Sequence, residues 1–146
     1  MPSTPIATAR RLHSALEAGS NGEALRAHFT PNASTIEHPN AIKPHGATAT
    51  LDQMLAASSA GARLLGKQHY EVIDAVEYGE LAVLRILWTG AIAEDAGPFR
   101  AGQELRAHIA QFITTEGDRI SRIETFDCYE PFQVENSSSG LTGPTT

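Results

Sequence analysis

The sequence predicts an α+β domain in which helices come first and a curved sheet packs one face against them. Apolar residues recur at helical spacing up to about residue 65, and β-branched and aromatic residues dominate from His69 onward. Turn residues then divide that second half into four runs of ten to thirteen residues. The chain has 146 residues, and a domain of about that size hides roughly 70% of the surface its unfolded chain exposes. A core with a pocket in it is within reach.

Ile6, Ala9, Leu12 and Leu16 mark one helix stripe, closed by Gly19-Ser20-Asn21-Gly22, and "EALRAHF" continues as a shorter helical run. "ASTIEH" reads as a short strand stopped by Pro39, and "PNAIKPHGA" as a loop. In the third helix, roughly 50 to 65, Thr50 and Gln53 have the spacing of a capping box and Gly66 stands where a C-terminal cap belongs. "HYEVIDAVEY", "LAVLRILWTGAIA", "QELRAHIAQFITT" and "RISRIETFDCY" then form consecutive antiparallel strands, with turns at Gly79, Asp95 to Pro98, and Gly117-Asp118. One domain is expected over residues 1–132, and a flexible tail over 133–146, where apolar content is low.

Composition excludes several classes. A formal net charge of −6 without any Lys/Arg cluster argues against nucleic-acid binding. No apolar stretch approaches the roughly 20 residues that span a bilayer, and the N-terminal segment lacks the features of a secretory signal, so no membrane partner and a cytoplasmic location are expected. Cys128 is the only cysteine, which rules out an intrachain disulfide and a cysteine-based metal site. No nucleophile elbow or phosphate-cradling glycine loop is present. No metal and no cofactor are expected.

The order helix, helix, short strand, loop, helix, four long strands resembles the cone-shaped nuclear-transport-factor-like superfamily, in particular its SnoaL-like and ketosteroid isomerase-like group. "FTPNASTIEHP", "WTGAIA", "GQELRAHIAQF" and "GDRISRIETFDCYEPF" carry the resemblance, which covers about residues 5 to 132. It implies three N-terminal helices on a curved, mixed sheet. In ketosteroid isomerases the first strand ends in an acid directly before proline, the general base, and His38 stands at that place. The acid of the isomerase's oxyanion hole falls at Ala110, and its tyrosine at about Ser14, with His13 adjacent. The essential aspartate of the similar limonene epoxide hydrolases falls at Thr125, and their Arg/Asp pair near Ile86 and Trp88. Neither reaction is reproduced residue for residue.

Strand periodicity completes the expected pocket, since residues two apart share a face. If Ala110 faces inward, so do Arg106, His108 and Phe112; on the last strand Ile123, Thr125 and Asp127 form one group. His38, His108 and Asp127 are therefore the expected catalytic set, with Asp127 hydrogen-bonded to either histidine, on a wall of Trp88, Phe112 and Ile123. His13, Ser14, Arg106 and Thr125 are the expected substrate contacts. A second reading makes His38 a half-exposed strand end. The implied activity is isomerisation or cyclisation of a small apolar carbonyl compound by acid–base chemistry. The alternatives are a non-catalytic homodimeric binder of a hydrophobic small molecule and a hydrolase or dehydratase of the same fold. The superfamily commonly dimerises through the outer sheet face, which would carry Arg122, Glu124 and Phe126.

Overall fold

The computed structural model describes residues 3–132. Helix α1 spans Pro5–Glu17, a 3-10 helix spans Gly22–His28, and strands β1 (Phe29–Glu37) and β2 (Ala47–Thr50) lead into α2 (Leu51–Gly61). Strands β3 (Leu65–Tyr78), β4 (Leu81–Ile92), β5 (Glu104–Glu116) and β6 (Arg119–Tyr129) follow. The sheet order is β2-β1-β6-β5-β4-β3. Every pair is antiparallel except β1 with β6, which is parallel. The three helices cover one face of this open, mixed sheet, the α+β cone that the sequence predicts.

Local chemistry sets the helix ends. The Thr4 hydroxyl accepts from the Ala7 amide at 3.1 Å and Pro5 occupies the first turn, where its missing N–H costs nothing. At α2 the capping box forms: the Gln53 amide donates to the Thr50 hydroxyl at 3.3 Å, and the Thr50 amide to Gln53 Oε1 at 2.9 Å. The stripe that α1 lays on the sheet is Thr8, Ala9, Leu12 and His13. His13 thus belongs to the inner face of the helix.

Strand alternation supplies the other half of the core. On β4, Ala82, Leu84, Ile86, Trp88 and Ile92 are buried; on β5, Leu105, Ala107, Ile109 and Ile113; on β6, Ile120 and Ile123. Between Ile120 and Ile123 the inward phase moves by one residue, because the β5–β6 register shifts where Thr114 and Thr115 face Arg122 and Ile120.

Three local expectations need correction. The second helical run is a 3-10 helix. The helix expected over 50–65 ends at Gly61, and Leu65 and Gly66 open β3, where Leu65 pairs with Ile92. The first strand begins at Phe29, and Ala47–Thr50 forms an additional short strand beside it. The expected tail at 133–146 lies outside the described residues.

Candidate functional site

The alternation of β5 decides which side chains meet the helices. Leu105, Ala107, Ile109, Gln111, Ile113 and Thr115 point inward, while Arg106, His108, Ala110 and Phe112 point to the outer face. The opposite phase would expose Leu105, Ile109 and Ile113, each losing about 1.5–3 kcal/mol of burial, and would force Arg106 and His108 into the core. The count that places Ala110 inward is therefore one residue out of phase, and a one-residue slip moves every side chain of a strand to the other face.

The same slip affects the end of β1. Its parallel pairing sets Glu37 beside Thr125, so Glu37 shares the inner face with Thr125 while His38 takes the outer one. The His38 ring stacks on Phe126, with centroids 4.2 Å apart, and its Nε2 lies 2.7 Å from Glu124 Oε2. His108 pairs with Glu130 at 2.8 Å on a side chain that is 63% exposed, and Arg106 lies 3.8 Å from the same carboxylate. Phe112 meets Phe126 edge-on at 5.9 Å. Ser14 is exposed, on the side of α1 away from the sheet. His38, His108, Ser14, Arg106 and Phe112 thus do not line the hollow under the helices, and the expected grouping of His38 and His108 with Asp127 does not form.

His13, Trp88, Ile123, Thr125 and Asp127 do face the helices. They are joined by groups that the sequence reading passed over: Glu37, Gln68, Tyr70, Gln111 and Tyr129. Tyr129 was legible, since it continues the two-residue period of Thr125 and Asp127. A cavity of about 270 Å³ opens between Gln68, Tyr70, Trp88, Gln111, Asp127 and Tyr129. Tyr70 and Gln111 also line a second, mainly apolar hollow of about 180 Å³ beneath Leu12, Met54 and Leu55.

Asp127 is the carboxyl group of the larger cavity. Its Oδ1 accepts a hydrogen bond from the Thr125 hydroxyl at 2.5 Å. Burial raises its pKa above the usual aspartate range; the Thr125 hydrogen bond pulls the other way, and the charge of Glu37 adds to the rise. Glu37 is held in turn by the loop after β1. The Asn40 side-chain amide donates to its Oε2 at 2.9 Å, and Lys43 Nζ sits 3.2 Å from its Oε1. Gly46 lets this loop fold back onto the strand: its φ is +66°, and a Cβ there would lie 2.5 Å from the Glu37 carbonyl oxygen.

Two phenols accompany the carboxyl group. Burial raises the pKa of Tyr70 and of Tyr129, and Asp127 adds to both shifts, so each keeps its proton and remains a donor. Among the described residues neither phenolic oxygen has a hydrogen-bond partner. His13 is 4% exposed and stacks on Tyr70 with centroids 4.4 Å apart. Its Nε2 lies 2.8 Å from Gln111 Oε1, and burial lowers its pKa, leaving a neutral imidazole. Trp88 is fixed by its indole N–H, which donates to Gln68 Oε1 at 3.0 Å, and Gln68 Nε2 donates to the Leu16 carbonyl at 3.3 Å. Among the described residues no three His, Cys, Asp or Glu side chains are grouped to hold a metal ion, and no helix is long and apolar enough to cross a membrane.

A curved sheet under three helices, enclosing a polar-lined hollow, defines a ketosteroid isomerase-like cone. Residues 9–123 match the SnoaL-like domain model, and the chain belongs to that family. Among solved structures it is similar to IdmH of Streptomyces antibioticus, a candidate polyketide cyclase, with a TM-score of 0.70 and 20% identity over 86% of this chain and 92% of that one. A ketosteroid isomerase-like protein of Catenulispora acidiphila, solved with trimethylamine, gives 0.64 and 21% over 84% and 85%. A candidate SnoaL-like polyketide cyclase of Jannaschia sp. CCS1 gives 0.65 and 19% over 86% of each chain. At these identities the likeness carries the fold alone. No curated protein matches the sequence.

Proposed function

We propose that this protein carries out cofactor-independent acid–base chemistry on a small, largely apolar carbonyl compound, with Asp127 as the proton-handling group. The reading rests on one observation above all: a half-buried carboxyl group shares a cavity of about 270 Å³ with two phenols that keep their protons. An aspartate whose pKa is raised is a stronger base once ionised, and proton transfer is most efficient when the catalytic pKa approaches the working pH. Asp127 removes a proton from the carbon next to the carbonyl. The negative charge that develops on the carbonyl oxygen is met by the O–H of Tyr129 or Tyr70, donors held in place before the reaction begins. In a β,γ-unsaturated compound, return of the proton from Asp127 to the γ-carbon of the dienolate completes an isomerisation; in a dicarbonyl compound, attack of the enolate carbon on the second carbonyl closes a ring, and the proton on Asp127 goes to the alkoxide that forms. Neither outcome needs an oxidant or a reductant.

Exchange of α-protons for deuterium, followed by NMR across a panel of cyclic ketones and aromatic 1,3-diketones, tests the reading. Wild-type protein is expected to accelerate exchange of at least one compound, and Asp127→Asn to lose about 10²–10⁴ of that acceleration while keeping its fold. Full activity in Asp127→Asn would overturn the role of Asp127. Binding without exchange of any compound would favour a non-catalytic binder.

We also propose that two copies pair through the outer sheet face. Ile73 is 48% and Phe126 39% exposed there, around a hollow of about 350 Å³ walled by Leu87, Ala110 and Cys128. The His38–Glu124 and His108–Glu130 pairs stand at its margin. An apolar centre inside a polar rim is the anatomy of a protein interface, and one patch meeting its own copy gives a closed two-fold dimer.

A further inference from the structure

We propose that the cone cavity takes a ligand bearing a positively charged nitrogen, a small alkylammonium group seated among Tyr70, Trp88 and Tyr129 with Asp127 as its counter-ion. The inference builds on the reading that this cavity is the ligand site, and it narrows the ligand to a carbonyl compound that also carries an amine.

The geometry is that of an aromatic cage. Tyr70, Trp88 and Tyr129 line the same cavity as Asp127. The Trp88 and Tyr129 rings stand at 85° to one another with centroids 6.3 Å apart, forming two walls of a corner. Tyr70, which also lines the cavity, has one face covered by His13 at an interplanar angle of 3°. The indole N–H of Trp88 donates to Gln68 Oε1 at 3.0 Å, which anchors this wall. Ring faces carry a negative quadrupole potential, and cations held against them gain from about 0.5 kcal/mol at exposed sites to about 2 kcal/mol when desolvated.

Carboxylates predominate among the charges that act on the cage; Arg10 acts on His13, on the far side of Tyr70. The charged groups that act on Tyr70 and Tyr129 are the carboxylates Asp127, Glu17 and Glu37. Lys43, the cation that acts on Asp127, is engaged by Glu37 at 3.2 Å on a side chain that is 49% exposed. A carboxylate-bearing ligand would enter a negative field; an ammonium would relieve it.

Trp88 is the only tryptophan of the chain, so its fluorescence reports on the cage directly. The probe is choline, titrated in parallel with 3,3-dimethylbutan-1-ol, which has the same shape without the charge. Choline is expected to change Trp88 emission saturably and to bind about tenfold more tightly than the neutral isostere, the factor that 1.4 kcal/mol of cation recognition gives. Asp127→Asn and Tyr129→Leu, both confirmed folded by circular dichroism, are each expected to remove that preference, so that choline binds no more tightly than the isostere. Equal binding of the two probes, or no response to choline in the wild type, overturns the inference. Its failure is separable from that of the acid–base reading. Exchange of a neutral ketone that depends on Asp127, without choline binding, sinks only the ammonium site. Choline binding without exchange of any ketone sinks only the chemistry.

Discussion

At the scale of single residues, the central contrast is between two neighbours, Glu37 and His38, one on the inner face beside Thr125 and the other against Phe126. Nothing local in "TIEHP" distinguishes them, because the phase of β1 is set by its parallel partner β6, far along the chain, where Glu37 lies beside Thr125. Asp127, by contrast, was legible from the two-residue period it shares with Ile123 and Thr125. The environment of Asp127 makes a pH prediction. Its folded-state pKa is raised, so between the ordinary aspartate value of about 3.9 and the native value the folded protein binds more protons than the unfolded chain. Stability therefore falls as pH rises through that window. Asp127→Asn removes this loss, and its thermal midpoint relative to wild type is expected to climb from pH 3.5 to neutrality. A difference that stays flat with pH would show that the carboxyl group is not held in a low-dielectric site.

At the scale of elements, β4 shows how a strand prepares the site. Gly90 stands under the Trp88 indole: a Cβ there would lie 2.5 Å from Trp88 Cη2 and 2.9 Å from Leu65 Cδ1. Gly90→Ala is expected to push the indole off its Gln68 hydrogen bond, to cost about 1–3 kcal/mol by overpacking, and to shift Trp88 emission. Unchanged stability and emission would mean that the indole has room to move. The "WTG" triplet was visible in the sequence, but the crowding depends on how the side chain lies across its own strand, which no spacing encodes. On β5 the sequence was more generous. Leu105, Ile109 and Ile113 alternate with Glu104, Arg106 and His108, a pattern whose burial energetics alone fix the phase. The family-based count placed the strand in the other phase, and the apolar period corrects it. The capping box of α2 was readable because its partners are three residues apart; its early end was not, since Leu65 is drawn into β3 by Ile92 across the sheet.

At the scale of the whole molecule, the order of helices and strands was legible because amphipathic period and turn chemistry are local. The closure of β1 against β6 was not, being a long-range parallel pairing inside a mainly antiparallel sheet. That closure leaves two faces of different character. The inner one encloses the cavity; the outer one gathers Ile73, Phe112, Phe126 and the histidines displaced from the expected pocket. Phe126→Arg places a charge at the centre of the proposed dimer patch, and light scattering coupled to gel filtration is expected to show a dimer for wild type and a monomer for the variant. A wild-type monomer would contradict the pairing.

The claim on which the rest depends is that proton transfer belongs to Asp127 inside the cone and not to His38 on its outer surface. One α-proton exchange assay, run on wild type, Asp127→Asn and His38→Ala with the same ketone, tests it most directly. Exchange lost in Asp127→Asn and retained in His38→Ala is the predicted result; exchange retained in Asp127→Asn and lost in His38→Ala would contradict it.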